Sequence, residues 1–580
     1  MTMTGNTQRL TILAQDPAVK QNGALVLAQV EIPYEMLADG PVGYRVKVVD
    51  FDATTNTLYQ PHRYVYQPDG QIVDPFALPS AKLSREARLA FDQKLLQNPN
   101  FHAQHVYAVV MRTLARFEYA LGRRVPWGFN GHQIHIAPHA FCDANAFYSE
   151  KDRGLMFGYF DGVRSKQRVF TCLSHDIVAH EATHALLDGL RTRYTDPSGP
   201  DQAAFHEGFS DIVALLSVFS LRPIVELGLT LGEGRIIKRD GLRLIQEGRL
   251  TQQAIADSIL FGLGEEFGQQ LGGARVNALR RSVELEPGKD YLERPEYEEP
   301  HARGELLAAA MLRSFLALWV ARIQQLGTFG RQLYNLDMVI DEGTKVANQL
   351  LTMAIRALDY CPPVDLEFGD YLAALLTVDR EVAPDDARYS YRDAIKETFA
   401  SYGITVPGPE TDADACWKTF DLNEDIIYKR TNFESMLRDE EEVFRFIWEN
   451  RHLLRIDDRG YTQVISVRPS MRQGPDGFML RETICEYVQI ADLFGAEVTA
   501  VLKINRPEGM SSRQRLRAYG GGVLVFDQYG RIKYHIERRL DDAARQKRRL
   551  DYLWDSGGLE QVQDSRNQFA MAHRMRAGGH

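Results

Sequence analysis

The segment Ser174 to Gly189, SHDIVAHEATHALLDG, constrains the fold more than any other stretch of the 580 residues. Ile177, Val178 and Leu186 give it apolar faces to bury, and Gly189 is placed to end a helix there. On that helix His180 and His184 stand one turn apart and point the same way. Glu181 lies about 100° round from His180, close to the shared face without belonging to it. A chain that buries such a helix has to supply partners for its imidazoles. The segment FHEGFSD does so 23 residues after His184, with Glu207 and, one turn later on the same face, Asp211.

HExxH by itself is short and arises by chance, but HExxH followed by ExxxD at this distance is a chemical set. A hydrolytic zinc site takes three protein ligands and keeps one position open. The metzincin solution needs Gly at 187 and His at 190, and both positions are Leu. A glutamate on a following helix is the other common solution, which makes His180, His184 and Glu207 the expected ligands of one zinc per chain. Asp211 is then placed to accept the outer N–H of a ligand histidine and fix its tautomer.

With these residues the chain resembles the thermolysin-like gluzincin metallopeptidases, over roughly residues 100 to 405. Asp143-Ala-Asn145-Ala146-Phe147-Tyr148 is similar to that family's edge strand, which pairs with the backbone of an extended peptide. Tyr194 stands near the place of its oxyanion-donating tyrosine. Ala278-Leu279-Arg280 resembles its substrate-carbonyl segment, with Arg281 an equal neighbour. His301-Ala-Arg-Gly304 resembles the histidine that opens a long apolar helix, and Tyr391 to Ile404 the helix that closes the catalytic domain.

The resemblance implies a zinc endopeptidase. Glu181 would be the general base, His301 and Tyr194 the oxyanion donors, and Asn145, Ala146 and Arg280 would bind substrate. Glu296, Glu298 and Glu299 all stand where they could orient His301. Two departures bear on it. The ligand glutamate follows His206 where the family has Asn. The acidic position used for structural calcium falls on Val218, so calcium dependence is not carried over. A zinc-bearing protein that uses the groove only to bind peptides is the alternative, although a pure binder has no chemical need for Glu181. An aminopeptidase would need a GxMEN-like segment, and none is present.

The expected fold class is α+β: a thermolysin-like two-lobed core with a β-rich N-lobe and a helical C-lobe, plus a small α+β C-terminal domain. The expected divisions are a β-rich region at 1–100, the core at 101–405, a Pro- and acid-rich linker at 406–415, and the C-terminal domain at 416–580. Strands are expected over TQVISVR, GVLVFD and RIKYHI, with a helix near Glu440 to His452.

Composition narrows the partners. With 44 % hydrophobic and 25 % charged residues the chain matches soluble globular proteins. Its 68 basic against 78 acidic residues, a net charge of −10, argue against a nucleic-acid or anionic-membrane binder. The basic run Arg545 to Arg549 is flanked by Asp541, Asp542 and Asp551 and reads as a solvated helix face. Five scattered cysteines fit a reducing compartment. No signal sequence is visible, and the apolar run Leu306 to Ile323 is interrupted by Arg313 and Arg322, which gives a cytoplasmic expectation. The partners expected are a peptide or protein substrate, no membrane, and a regulatory protein at the terminal additions.

Two smaller features receive structural readings. Cys142 reads as a small buried apolar residue rather than an inhibitory thiolate. His132, His135 and His139 alternate on a strand with no carboxylate or cysteine pattern joining them, so they read as strand residues rather than a second metal site.

Overall fold

The computed structural model describes residues 7–79, 83–162, 168–196, 198–230, 236–259, 282, 284–330, 332–386, 389–473, 477 and 479–559. The chain is α+β. Strands β1 (Thr7–Leu13) and β2 (Leu27–Pro33) form an antiparallel hairpin. It lies against α1 (Pro99–Leu121), where the Leu13 N–H donates to His105 Nδ1. That helix is bounded as its sequence demands, by the Asn98 cap with Pro99 after it, and by Gly122 at φ 66°.

The main sheet runs in the order β5 (Ala146–Ser149), β6 (Gly154–Asp161), β4 (Ile134–Cys142), β3 (Val46–Val48), with β7 (Arg168–Phe170) also on β6. β4 is parallel to both neighbours, and β5 is the outer strand, antiparallel to β6. Because β3 comes from the first hundred residues, the division expected at residue 100 cuts through one sheet.

Helices α2 (His175–Leu190), α3 (Pro200–Phe219), α4 (Pro300–Ile323), α5 (Leu336–Ala357), α6 (Phe368–Val382) and α7 (Tyr391–Ala400) pack behind this sheet into one continuous core. α4 is long and apolar enough to cross a membrane by length and composition. Here 72 % of its most apolar window is buried in the protein, as expected of a core helix. Gly189 does not end α2, which continues to Leu190; a Cβ on Gly189 would collide with the Pro126 carbonyl. Its role is close packing.

Residues 406–415 are held down: Thr411 bridges to Trp417, whose indole is buried and donates to the Tyr360 carbonyl. Beyond lie α8 (Glu440–Glu449) and an antiparallel meander of β8 (Tyr461–Gln473), β9 (Met479–Phe494), β10 (Arg515–Phe526) and β11 (Ile532–Arg538), with α9 (Ala543–Asp555) after it. Gly520, Gly521 and Gly522 lie inside β10, where Gly521 (φ 149°) passes against the Tyr487 carbonyl.

One face of β9 packs Cys485 and Tyr487 with Phe446 and Leu454. The opposite face turns Glu482 and Glu486 onto the helical core, where Arg191 meets Glu486 at 2.6 Å. Arg472 bridges Glu482 and Asp359, and Arg123 holds Asp359 at 2.6 Å. Burial opposes ionisation of Asp359, but Arg123 and Arg472 keep its carboxyl far below the usual range. The sheet is therefore joined to the core through buried, paired charge.

Candidate metal centre

The start of α2 is tied to the N-terminal hairpin region, its His175 N–H donating to the Gln15 carbonyl. One turn on, His180 Nδ1 donates to Asp211 Oδ1 at 2.9 Å. Its Nε2 therefore faces inward, 2.9 Å from Nε2 of His184. Glu207 on α3 places Oε2 3.5 Å from the first of these nitrogens and Oε1 3.6 Å from the second. Ligand atoms of His180, His184 and Glu207 all lie within 4.8 Å of one another.

Two imidazole nitrogens meeting beside a carboxylate form a donor set whose chemistry fits zinc. The same field acts on the side chains themselves. Burial disfavours a charged His180 ring, yet Asp211 and Glu207 raise it to about 10. Burial likewise opposes the Glu207 carboxylate, but His301, His184 and His180 hold it well below the usual carboxylate range.

The outer nitrogen of His184 lies 3.3 Å from Ser210 Oγ and 3.5 Å from His206 Nδ1, with the two rings stacked. Burial pushes His206 down to about 4, so it packs as a neutral ring where the resembled family has Asn. Ser210 was not singled out from the sequence. Its signal was its position three residues after Glu207, on the same helical face.

His301 reaches the cluster because α3 and α4 touch at backbone level. A Cβ on Gly208 would sit 2.8 Å from the Gly304 carbonyl oxygen. His301 Nε2 lies 3.5 Å from Glu207 Oε2, and its Nδ1 lies 3.0 Å from Glu299 Oε1. Of the three candidate glutamates it is Glu299 that meets the ring, and it also caps α4 by accepting from the backbone N–H groups of His301 and Ala302. Burial raises the Glu299 carboxyl, but the bonds from His301 and Ala302 outweigh it and bring it down to about 2.

On the opposite side, the backbone N–H of Tyr148 in β5 donates to Oε2 of buried Glu181 at 2.9 Å. Ala146 opens that strand, and Asn145 precedes it with Oδ1 accepting from the Ala146 N–H. The outer strand, Glu181 and the cluster of His180, His184 and Glu207 are thus contiguous.

The structure corrects two expectations. Tyr194 is buried 2 % exposed, and its hydroxyl donates to the Pro362 carbonyl at 2.7 Å, beside Cys361 and Arg191. It faces the C-terminal junction and is not an oxyanion donor; the chain turns at Arg191, directing the phenol away from α2. Cys142 is exposed at the end of β4 rather than buried. Arg280, with Ala278, Leu279 and Arg281, lies outside the described residues. Val218, at the calcium position of the resembled family, is fully buried and apolar. Comparison of the sequence with protein-family models and with curated proteins returns no match.

Proposed function

We propose that the chain is a zinc-dependent endopeptidase of the thermolysin-like gluzincin kind, with a β-rich lobe that presents β5 and a helical lobe that presents Glu207 and His301. The observation that carries this reading is the convergence of His180, His184 and Glu207 with Glu181 beside them, its carboxylate bonded to the outer strand. Bound zinc would supply the positive charge that acidifies a water and polarises the scissile carbonyl.

The chain's own residues do the rest. β5 holds an extended peptide by strand addition. Glu181 takes the proton of the attacking water and returns it to the leaving amine. His301, its Nδ1 fixed by Glu299, donates from Nε2 to the oxyanion. The buried walls of the site keep bulk water from the reacting groups.

The deciding experiment is Glu181→Gln compared with the wild type on casein and on a peptide library, at equal zinc content. Retained zinc with a loss of turnover of at least about 100-fold supports the reading. Stoichiometric zinc in a wild type that cleaves no peptide would replace it with the peptide-binding alternative.

A further inference from the structure

A second convergence of ligand-bearing side chains lies beneath the main sheet, away from the site described above. His102 stands in the first turn of α1, His139 on β4, and Cys172 in the short turn Thr171–Leu173 that leads into α2. Their exposures are 1 %, 2 % and 0 %. Ligand atoms of the three lie within 4.8 Å of one another.

Hydrogen bonds fix both rings. His102 Nε2 lies 3.0 Å from the Leu96 carbonyl, which can only accept, so this nitrogen carries the proton. His139 Nδ1 lies 2.7 Å from Asp50 Oδ2, and the His139 backbone N–H donates to Oδ1 of the same carboxylate. That nitrogen carries a proton too. In neutral rings the inward atoms, His102 Nδ1 and His139 Nε2, are then both lone pairs, and they face each other at 2.7 Å. A positive species must sit between them. Outer N–H groups bonded to a carboxylate and to a backbone carbonyl are the arrangement found around metal-ligating histidines. The Cys172 sulfur, arriving from a third element, has no role in sharing a proton between two rings but supplies a third ligand atom.

We propose that His102, His139 and Cys172 form a second metal site, structural in role, for a divalent ion of the zinc class. Charge selects the valence: one dication balances one thiolate and the Asp50 carboxylate, leaving the buried site neutral. Loading releases the Cys172 thiol proton to solvent as the sulfur–metal bond forms. Tetrahedral ligation at about 2.0 Å to nitrogen and 2.3 Å to sulfur spreads the ring nitrogens to about 3.3 Å, a small opening of the present contact. The ion would pin the turn that starts α2 to α1 and β4, three residues before His175.

The full-length chain, stripped of metal and reloaded with cobalt(II), tests this. Only a thiolate ligand gives a near-ultraviolet sulfur-to-cobalt charge-transfer band, which the two-histidine, one-glutamate set cannot produce. The expectation is two cobalt ions per chain with that band present. Cys172→Ser and Cys172→Ala should each lose the band and drop to one ion, whereas His184→Ala should drop to one ion and keep the band. Zinc X-ray absorption of the wild type, which needs no variant, should show a sulfur neighbour at about 2.3 Å. A folded wild type without band or sulfur scattering overturns the site and leaves a shared proton between the rings. A band that survives in the Cys172 variants overturns it as well. Neither outcome depends on peptidase activity.

Discussion

Tyr148 and Glu181 are joined by a backbone hydrogen bond of 2.9 Å, from the outer strand of the sheet to the carboxylate beside His180, His184 and Glu207. The strand that would hold a peptide thereby also positions the base. Shortening the Glu181 side chain by one methylene retains a carboxylate and withdraws it from the Tyr148 N–H. Glu181→Asp should lower kcat about 100-fold, the cost of a displacement of about 1 Å. Turnover of a peptide substrate at matched zinc content checks this, and wild-type rates in the variant would remove the positioning argument.

Glu299 meets His301 through Nδ1 and is held ionised by bonds from His301 and Ala302, down to about 2. Glu299→Gln keeps a cap acceptor for the helix but loses the charge that aligns the ring. A fall in kcat on the order of tenfold, with KM little changed, is expected for an interaction made mainly in the transition state. A change confined to KM would assign Glu299 to substrate binding.

Asp211 accepts from His180 Nδ1 at 2.9 Å and fixes which nitrogen faces the cluster. Asp211→Asn should weaken zinc binding about 10- to 100-fold. Competition against a chelator of known affinity reads this directly, and an unaltered affinity would show that the ring is held by packing alone.

Glu486 and Arg191 are 1 % and 3 % exposed and form a pair across the junction between β9 and the helical core. Glu486→Gln leaves the guanidinium buried without its counter-charge and should cost about 3–5 kcal/mol. The double replacement Arg191→Met with Glu486→Leu should recover much of that loss in denaturant unfolding. Equal loss in the single and double variants would mean that packing volume, not charge, holds the junction.

Asp16 is buried near Asp176 at the start of α2, and burial first, then Asp176, push it up to about 7. Its folded value lies above its unfolded one, so the stabilising proton is fully in place below about 4 and is lost as pH rises through about 7. Asp16→Asn should therefore gain melting temperature relative to the wild type between pH 5 and pH 8. Parallel melting curves across that range would contradict it.

The pairs His180/His184 and Glu207/Asp211 were legible because helical periodicity fixes what shares a face within a few residues, and their meeting was legible from the chemistry of a three-ligand zinc set. Glu299 could be narrowed only to three candidates, since a cap geometry decides among them. Tyr194 was misplaced because its phenol depends on Pro362, 168 residues away. β9 was passed over for a related reason. Its core-facing positions include Glu482 and Glu486, whose partners Tyr360 and Arg191 are remote in sequence. The His102, His139 and Cys172 cluster escaped because its members sit on three elements and only His139 belongs to the visible histidine alternation.

The contact of Gly208 with Gly304 has a mechanical consequence. At the level of Gly208 and Gly304 the two helices meet main chain to main chain, with little between them there to slide or repack, so α3 and α4 are stiffly joined at that point. Glu207 and His301 then ride on a common body, and their spacing is insensitive to whatever occupies the cleft. Widening of the proposed peptide site would then have to pivot on the other bank, where a hydrogen bond links β5 to Glu181.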